Sequence, residues 1–338
     1  MISYLLRRIL WLVPVILTVS VVTFFLMHRA PGGPWDANND KLAEATRRSL
    51  NARFHLDDPI WVNREKLDAR WEDGERNPLT LGRAFLDSQF FNYLAGLVRF
   101  DLGPSYQSKG TENVQDVLRE RFPTSAKLGM VAVFFAMVVG LPLGIVAALR
   151  QNSWLDYLSL SVSTVGISVP TFVSGILLLI FLSSNFGVSP IRRPEEWHGF
   201  GRAYLLPGIV LGLGTMAYVV RLTRTSLLEI KRQDFVRTAR AKGLREGPIV
   251  TRHMLRNALI PVITVLGPAT ADLITGSFII EKIYNVPGLG REFFESISRR
   301  DYSMIMGTTL FYAVLIAVAN VVVDISYGLI DPRIRARQ

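Results

Sequence analysis

Residues 221–261 read RLTRTSLLEIKRQDFVRTARAKGLREGPIVTRHMLRNALIP. This polar segment lies between two apolar stretches, Tyr204–Leu222 and Leu259–Ile280. Between Leu227 and Arg256 the bases outnumber the acids, as is typical of a cytoplasmic loop beside membrane spans. Its pattern is too regular for a flexible linker. We therefore expect a folded, water-exposed element between two transmembrane helices.

The composition of the 338-residue chain indicates a membrane protein that crosses the bilayer several times. Hydrophobic residues make up 49% of it, and many of them stand in long apolar runs. The formal net charge of +10 would also suit nucleic acid, but the bases cluster beside the apolar runs. We therefore expect lipid around the chain and no nucleic-acid partner. The absence of cysteine excludes disulfides and Cys-ligated metal sites, and no metal site is predicted.

Six apolar stretches of spanning length predict an all-α fold with six transmembrane helices. The first, Ile9–Met27, would be about 28 Å long as a helix, close to the thickness of a hydrocarbon core. Arg7 and Arg8 precede it and place the amino terminus in the cytoplasm. No small-residue cleavage site follows, so we expect an uncleaved helix. Six crossings return the carboxyl terminus to the cytoplasm. The predicted spans are residues 9–27, 126–149, 155–183, 204–222, 259–280 and 303–323.

This pattern divides the chain into three parts, and the middle part is unlike the other two because it carries many charges of both signs. The predicted parts are residues 1–27 (cytoplasmic terminus and first span), 28–125 (long external segment) and 126–338 (membrane core, with a cytoplasmic loop at 223–258 and a tail at 324–338). Within the external segment we expect a helix at Lys41–Phe54 and another at Asn113–Phe122, the second ended by Pro123. An apolar patch, Phe90–Phe100, leaves open whether this segment is a packed cap or a ligand-receiving surface.

The central loop has the pattern of a helix followed by a break and a second helix. Residues 235–242 are expected to form a helix, with Phe235, Ala239 and Lys242 on one of its faces. Gly243 would end that helix, because glycine adopts a left-handed cap without strain. Gly247 then opens a second short element that leads toward the fifth span. The sequence thus predicts a rigid lever that projects from the membrane into water.

This loop resembles the coupling loop of ABC-importer permeases, which is written Glu-Ala-Ala, three residues, Gly and inserts a helix into a cleft of the ATPase subunit. Arg237-Thr238-Ala239 occupies the triplet, and Gly243 occupies the glycine position. Two departures, the replacement of the acid by Arg237 and the greater distance of Pro261 from the glycine, are similar to the peptide/nickel branch of that family. The runs Thr238–Gly243 and His253–Pro261 carry this part of the resemblance.

The resemblance extends over nearly the whole chain, with motifs in the same order as in the B-type permease of dipeptide and oligopeptide importers. These motifs are Leu6-Arg7-Arg8, Asp101-Leu102-Gly103, Pro287-Gly288-Leu289-Gly290, Arg300-Asp301-Tyr302 and Asp331-Pro332-Arg333-Ile334-Arg335. The resemblance implies the fold of a type I ABC importer. It also implies an ATPase-coupling role for Arg237, Thr238, Ala239, Arg240, Ala241, Lys242, Gly243, Leu244, Arg245, His253, Arg256, Asn257 and Pro261.

The resemblance further implies a division of labour among partners in the cytoplasmic membrane of a bacterium or archaeon. Those partners would be a homologous C-type permease, two cytoplasmic ATPase subunits and an external substrate-binding protein. The sequence contains no Gly-x4-Gly-Lys-Ser/Thr phosphate loop, so we expect this chain to be no enzyme itself and to bind no cofactor. The ATPase partners would use ATP and Mg²⁺. Cargo remains open between dipeptides, longer peptides, nickel chelates and other solutes.

Three positions in the predicted spans are candidates for the translocation pathway. Asp272 falls in the fifth span, where an ionised carboxylate costs on the order of 3 kcal/mol or more, so it should face a cavity or a partner. It would either line the pathway or be a structural acid bonded to Thr270 or Thr275. Gly166 and Pro170 allow a kink in the third span, as part of a pathway wall or of ordinary helix packing.

Asp272 is also compatible with a second function, that of a proton-coupled secondary transporter, which would need no ATPase. A third alternative is a membrane receptor whose cap binds a ligand without transport. Arg221 and Arg224 end the fourth span and are interpreted as membrane-interface residues. His253 is interpreted as a docking contact, and Glu281 as a cap of the fifth helix.

Overall fold

The computed structural model describes residues 2–36, 43–187, 191–197 and 199–330. Within these ranges the regular structure is helical, and the sole extended pairing is one isolated antiparallel bridge between Pro104 and Asn113. The all-α prediction is therefore confirmed for the described residues. The predicted tail motif at 331–335 lies outside them, as do residues 41 and 42 of the predicted external helix.

The helices of the first half include one long apolar helix, four short helices and a second long apolar helix. They are α1 (Ile2–Arg29), α2 (Glu44–Arg53), α3 (Arg64–Glu72), α4 (Pro78–Phe85), α5 (Gln89–Val98) and α6 (Val114–Leu149). Asparagine and serine side chains cap three of the short helices, since Asn63, Asn77 and Ser88 each accept a hydrogen bond from a first-turn amide.

The second half contains the remaining long helices and the helices that connect them. They are α7 (Trp154–Ser168), α8 (Thr171–Phe186), α9 (Leu205–Lys231), α10 (Asp234–Ala241), α11 (Glu246–Pro248), α12 (Leu255–Thr275), α13 (Phe278–Ile283), α14 (Leu289–Arg299) and α15 (Tyr302–Ile330). Short 3₁₀ turns occupy Pro194–Trp197 and Arg202–Tyr204, and a π-helical turn at Ile249–Met254 joins α11 to α12.

The chain divides into two compact units. One contains residues 1–13, 121–292 and 312–338, and the other contains residues 14–120 and 293–311. We refer to them as the core unit and the cap unit. Among the described residues five helices are long and apolar enough to cross a membrane, and a bent pair supplies a sixth crossing if it counts as one span.

The bent pair is α7 and α8, which lie at 107° to each other where the sequence predicts one span at 155–183. Proline disfavours helical backbone in the residue before it, and Val169, which precedes Pro170, is extended with φ −87° and ψ 122°. The kink that Gly166 and Pro170 allow in this span is present, and it lies at Pro170.

The predicted end of a helix at Pro123 is wrong, because α6 continues through Pro123 and Pro142 to Leu149. Inside a helix a proline removes one hydrogen bond and costs about 3 kcal/mol. Burial offsets this cost, since Leu118 before Pro123 and Leu128 after it are both buried. Residues 114–149 therefore form one helix rather than a short external helix followed by a separate span.

Two further predicted boundaries are corrected. The helix of the fourth span ends at Lys231 rather than at Leu222. The first part of the predicted loop at 223–258 therefore belongs to α9. The predicted fifth span at 259–280 is interrupted, because α12 ends at Thr275 and Gly276 adopts a φ of 88° before α13 begins.

Helix α9 contacts α7, α8 and α12 within the core unit. Its small residues permit a close approach to α6: a Cβ at Gly208 would lie 2.5 Å from a Val131 methyl carbon, and one at Gly212 would lie 2.6 Å from the Ala132 carbonyl oxygen. Small residues at such positions are what close helix packing in membranes requires.

Glu281 is fully buried in the core unit instead of capping the fifth helix at a surface. Its Oε1 accepts a hydrogen bond from Ser125 Oγ at 2.7 Å, and its Oε2 accepts one from the Arg291 backbone amide at 2.8 Å. Gly288 packs directly on this carboxylate, because a Cβ there would lie 2.5 Å from Oε2. The Pro287–Gly290 motif therefore makes room for a buried acid.

The cap unit is organised by an aromatic cluster and by a second buried acid. The cluster joins Phe24, Phe90 and Tyr302, so the apolar patch of the external segment is packed at Phe90. Asp301 is buried and accepts hydrogen bonds from the Met304 amide of α15 and, across the unit, from Ser105 Oγ. The Arg300-Asp301-Tyr302 motif thereby caps α15 and ties it to the loop between α5 and α6.

Candidate functional site

The candidate site is the segment from Arg232 to Met254, which we call the arm. It leaves α9 after Lys231, forms α10, turns at Gly243 and continues through α11 and the π-helical turn into α12. Every residue from Thr238 to Pro248 except Ala239 is exposed. The arm is thus an ordered helical excursion with most of its side chains in solvent, as the sequence predicts.

The underside of the arm shares one hydrophobic core with the helices of the core unit. Val236 and Ala239 of α10 are buried together with Ile249 and Met254 of the π-helical turn. The same cluster includes residues of α6, α9 and α12: Ala148, Leu227 and Ala258. Because an apolar interior packs closely, a displacement of α10 is transmitted to these helices.

The predicted face of α10 is partly wrong. The sequence places Phe235, Ala239 and Lys242 on one side, whereas the buried positions are Val236 and Ala239, and Phe235 is 41% exposed. The small side chain of Ala239 therefore serves close packing within this chain. Phe235 and Leu244, which is 46% exposed, are apolar side chains left on the outer surface of the arm.

Gly243 ends α10 in the left-handed conformation that the sequence predicts, with a φ of 75°. Its amide donates to the Arg240 carbonyl at 2.9 Å, and the Leu244 amide donates to the Ala239 carbonyl at 3.4 Å. This pair of bonds defines a Schellman cap. Apart from its chain neighbours, no atom of the described residues lies within 4 Å of a Cβ built at Gly243, so glycine is required there for its backbone conformation and not for space.

The exposed surface of the arm is basic. Arg240 pairs with Glu246 across the Gly243 turn, with Nε 2.7 Å from Oε1, and the Asp234 carboxylate lies 3.6 Å from Arg237. Lys242 and Arg245 make no ion pair with any described residue. The arm therefore presents uncompensated positive charge around the turn, beside the exposed Leu244.

The second part of the predicted motif continues along the same surface. His253, Arg256, Asn257 and Pro261 are all exposed. The Asn257 side chain donates to the His253 carbonyl at 3.0 Å, which supports the backbone where the π-helical turn passes into α12. The structure thus joins the two halves of the motif through the turn at Gly243 and the helical path from Glu246 into α12, although it leaves their functional role a prediction.

An ion pair that the sequence did not predict fixes the helix from which the arm departs. Arg224 on α9 donates through Nε and Nη2 to the two carboxylate oxygens of Asp156 on α7, at 2.6 and 2.9 Å. The Asp156 side chain is 2% exposed and that of Arg224 17%. Arg224 is therefore a bidentate partner between helices rather than a membrane-interface residue, whereas Arg221 is exposed.

In the sequence, the only sign of this ion pair was an acid, Asp156, in the first turn of an apolar span. Asp156 also accepts the Asn152 amide at 2.9 Å, which ties the turn before α7 to the same site. Sequence spacing could not identify Arg224 as the partner, because the two residues are 68 positions apart.

The pathway candidates lie on separate elements. Gly166 packs against α9, since a Cβ there would lie 2.9 Å from the Ala217 methyl group, and Pro170 is exposed at the bend before α8. Asp272 is exposed near the end of α12, and its carboxylate has no hydrogen-bond or ionic partner among the described residues. Thr275 donates to the backbone carbonyl of Asp272 and not to its side chain. A pathway role for these residues stays a prediction.

Comparison with known proteins places this architecture among transport proteins. The family model described as "Binding-protein-dependent transport system inner membrane component" matches residues 140–336. The dipeptide transport system permease protein of Bacillus subtilis is 41% identical over 336 residues, which cover 99% of this chain and 98% of that protein. The oligopeptide transport system permease protein of Escherichia coli is 35% identical, over 99% of this chain and 100% of that protein.

Two solved structures share the fold. A chain of the inward-facing MetNI methionine ABC transporter aligns with a TM-score of 0.52 and 18% identity, covering 64% of this chain and 97% of its own length. A chain of an amino acid ABC transporter aligns with a TM-score of 0.50 and 18% identity, covering 62% of this chain and 92% of its own. The predicted membrane fold of the type I importer kind is confirmed, while the external placement of residues 28–125 stays a prediction.

Proposed function

This chain belongs to the family of binding-protein-dependent transport system inner membrane components, and we propose that it is the permease subunit of an ATP-driven peptide importer. In this proposal it forms half of the translocation pathway, and its arm docks on a cytoplasmic ATPase. The observation that carries the coupling role is the construction of the arm, which is exposed and basic on its outer surface and shares a core with three membrane helices on its inner surface.

The partners follow from this division of labour. A homologous C-type permease would complete the pathway, two ATPase subunits would bind ATP and Mg²⁺, and an external binding protein would deliver the cargo. Both termini and the arm would lie in the cytoplasm, with residues 28–125 on the opposite side of the membrane. Peptides are the cargo class because the relatives quoted above are named dipeptide and oligopeptide permeases.

The chain's own residues suggest how a stroke reaches the membrane. Force applied to the outer surface of α10 passes through Val236 and Ala239 into the core that includes Leu227 of α9. The Arg224–Asp156 pair then joins the motion of α9 to that of α7. Close packing makes such an assembly move as a body, which is the form of motion that alternating access requires.

Gly243 provides the experiment that tests the coupling role. In the complex with its ATPases, Gly243→Val should reduce substrate-stimulated ATP hydrolysis to the basal rate while membrane insertion stays intact. A β-branched residue with positive φ is strained, so the Schellman cap would open and the arm would change direction. Gly243→Asn should retain part of the stimulation, since asparagine tolerates the left-handed region.

Gly82→Val is the matched control, because it adds the same side chain at a helical glycine of α4 that has open space among the described residues and no positive φ. We expect it to leave stimulation nearly unchanged. Full stimulation in the Gly243→Val complex would contradict the proposed geometry. Uptake that persists without ATP and follows a proton gradient would contradict the ATP-driven function itself.

A further inference from the structure

The cap unit contains a cavity that ATPase coupling does not use. Its volume is about 230 Å³, and its walls come from the ends of α1 and α2, from α5, from residues 101–106 and from the start of α15. Phe54, Tyr106 and Tyr302 line it. The rings of Phe54 and Tyr106 meet edge to face with centroids 4.5 Å apart, which fixes this wall. A dry cavity of about 150 Å³ is enough to hold benzene, so this cavity has room for an aromatic side chain and more.

Charged groups of both signs line the same cavity. Asp101 uses Oδ1 to accept the Gly103 amide at 2.9 Å, and its Oδ2 has no partner among the described residues. Arg53 donates through Nη2 to the Gly110 carbonyl at 3.2 Å, and its remaining N–H groups have no partner in the described part of the chain. The Asp101 carboxylate and the Arg53 guanidinium beside one apolar cavity suit a ligand that carries a positive and a negative group.

Tyr93 adds an unused hydrogen-bond donor. It lines the cavity, and its hydroxyl is buried without a hydrogen-bond partner among the described residues. Desolvation raises the pKa of this hydroxyl, so the group remains a neutral donor. A buried hydroxyl without a partner carries a free-energy cost, and a small shift of the Tyr93 ring on ligand binding would remove that cost by bringing the hydroxyl to a ligand carbonyl.

We propose that this cavity binds a short free peptide with an apolar side chain. The side chain lies against the aromatic wall, the ammonium group pairs with Asp101, the carboxylate pairs with Arg53, and Tyr93 donates to a peptide carbonyl. The choice of a peptide rests on the proposed function. A fatty acid would occupy the apolar wall and pair its carboxylate with Arg53, but it would leave Asp101 and Tyr93 without partners, so these two groups favour the peptide.

Competition binding to the complete transport complex in nanodiscs tests the ligand class. The probe is 4-fluorophenylalanyl-alanine, observed by ¹⁹F NMR and displaced by unlabelled compounds. We expect Phe-Ala to displace it, and Gly-Gly and N-acetyl-Phe-Ala to compete at least tenfold more weakly. Displacement by decanoate and N-acetyl-Phe-Ala as effectively as by Phe-Ala would show that the site does not recognise the ammonium group and would overturn the proposal.

Variants of the lining test each contact. Tyr93→Phe removes only the hydroxyl and should weaken Phe-Ala binding about 2- to 12-fold, the range that one net hydrogen bond supplies. Asp101→Asn keeps an acceptor for the Gly103 amide but removes the charge. It should weaken Phe-Ala at least tenfold while leaving N-acetyl-Phe-Ala unchanged, which also shows that the variant is folded.

A filling variant with a matched control decides whether the cavity itself is the site. Asn92 lines the cavity at an exposed position of α5, so Asn92→Trp should abolish binding and Asn92→Ala should retain it. Equal binding in both variants, or no effect of Asp101→Asn, would overturn the proposal. ATP-driven uptake of Phe-Ala into vesicles distinguishes the cavity proposal from the proposed importer function. If all of these variants transport Phe-Ala as the wild type does, the cavity proposal is wrong but the importer function stands. If vesicles with the wild-type complex show no uptake, the importer function itself is contradicted.

Discussion

Asp156 and Glu281 are both buried acids of the core unit, but they are held in different ways. Asp156 accepts two hydrogen bonds from the guanidinium of Arg224, so it joins α7 to α9 by an ion pair. The bonds that Glu281 accepts from Ser125 Oγ and the Arg291 amide join α6 to the start of α14. The first arrangement needs one particular partner side chain, whereas the second needs space, which the glycines around the carboxylate provide.

The difference bears on how each region tolerates change. A bidentate ion pair keeps two helices in register while the pair moves, so it suits the root of an arm with the proposed coupling role. A carboxylate enclosed by backbone cannot shift without leaving buried donors unpaired, so it suits a fixed corner of the fold. Four substitutions test this contrast, in order of expected effect.

Glu281→Ala should have the largest effect. It leaves the Ser125 hydroxyl and the Arg291 amide without their acceptor and opens a void in a buried cluster. We expect a loss of about 3–5 kcal/mol in the free energy of unfolding, measured by thermal unfolding of the purified chain in detergent. The exposed Glu229→Ala is the control and should change stability by less than about 0.5 kcal/mol. Similar melting of the two variants would contradict a structural role for Glu281.

Asp156→Asn should cost less, about 2–4 kcal/mol, because Arg224 keeps some access to solvent when it loses its charged partner. A double-mutant cycle with Arg224→Gln measures the coupling. The double variant should lose less stability than the sum of the two single variants, since neither half of the pair is then left charged and alone. Additive losses would show that the two groups do not depend on each other.

Gly288→Ala tests the space around Glu281. A methyl group there meets Glu281 Oε2 and Ser125 Oγ at 2.5 Å, so we expect a loss of about 1–3 kcal/mol from overpacking. In a Glu281→Ala background the same substitution should cost clearly less, because one of the two clashing oxygens is gone and the void gives Ser125 room to move. An undiminished penalty in that background would mean that Gly288 is required for another reason. Thermal unfolding of the wild type, the two single variants and the double variant provides the comparison.

Arg240→Ala should have the smallest effect on stability. Its ion pair with Glu246 lies at the surface, where such pairs contribute about 0–1 kcal/mol and are screened by salt. We expect unchanged melting within that range but weaker docking of the ATPase subunits, measured by co-purification at low and high salt. A large loss of stability would show that this exposed pair is as important to the fold as the buried pair.

Much of the arm could be predicted from sequence because its features are local. The glycine at 243 was expected to end a helix from its intrinsic backbone freedom, and its φ of 75° agrees. The face of α10 was not predicted correctly, because Val236 and Phe235 are adjacent and both apolar. Which of them is buried depends on the positions of Leu227 and Met254, and no local pattern specifies these.

The boundaries of the spans show the same limit. Pro170 breaks the third span, whereas Pro123 does not break α6, although both prolines have the same local chemistry. Burial on both sides of Pro123 offsets its missing hydrogen bond. A rule based on proline alone could not separate the two cases, since the deciding contacts come from residues far away in the chain.

The sequence by itself determined the membrane class, the approximate spans, the break at Gly243 and the family, because these depend on apolar length, backbone freedom and motifs of contiguous residues. The tertiary structure alone decided that Arg224 pairs with Asp156 and that Glu281 is enclosed by Ser125 and Gly288. Those pairings join residues 68 and 156 positions apart. Hydrogen bonds and burial depend on distance in space, and for such residues only folding determines that distance.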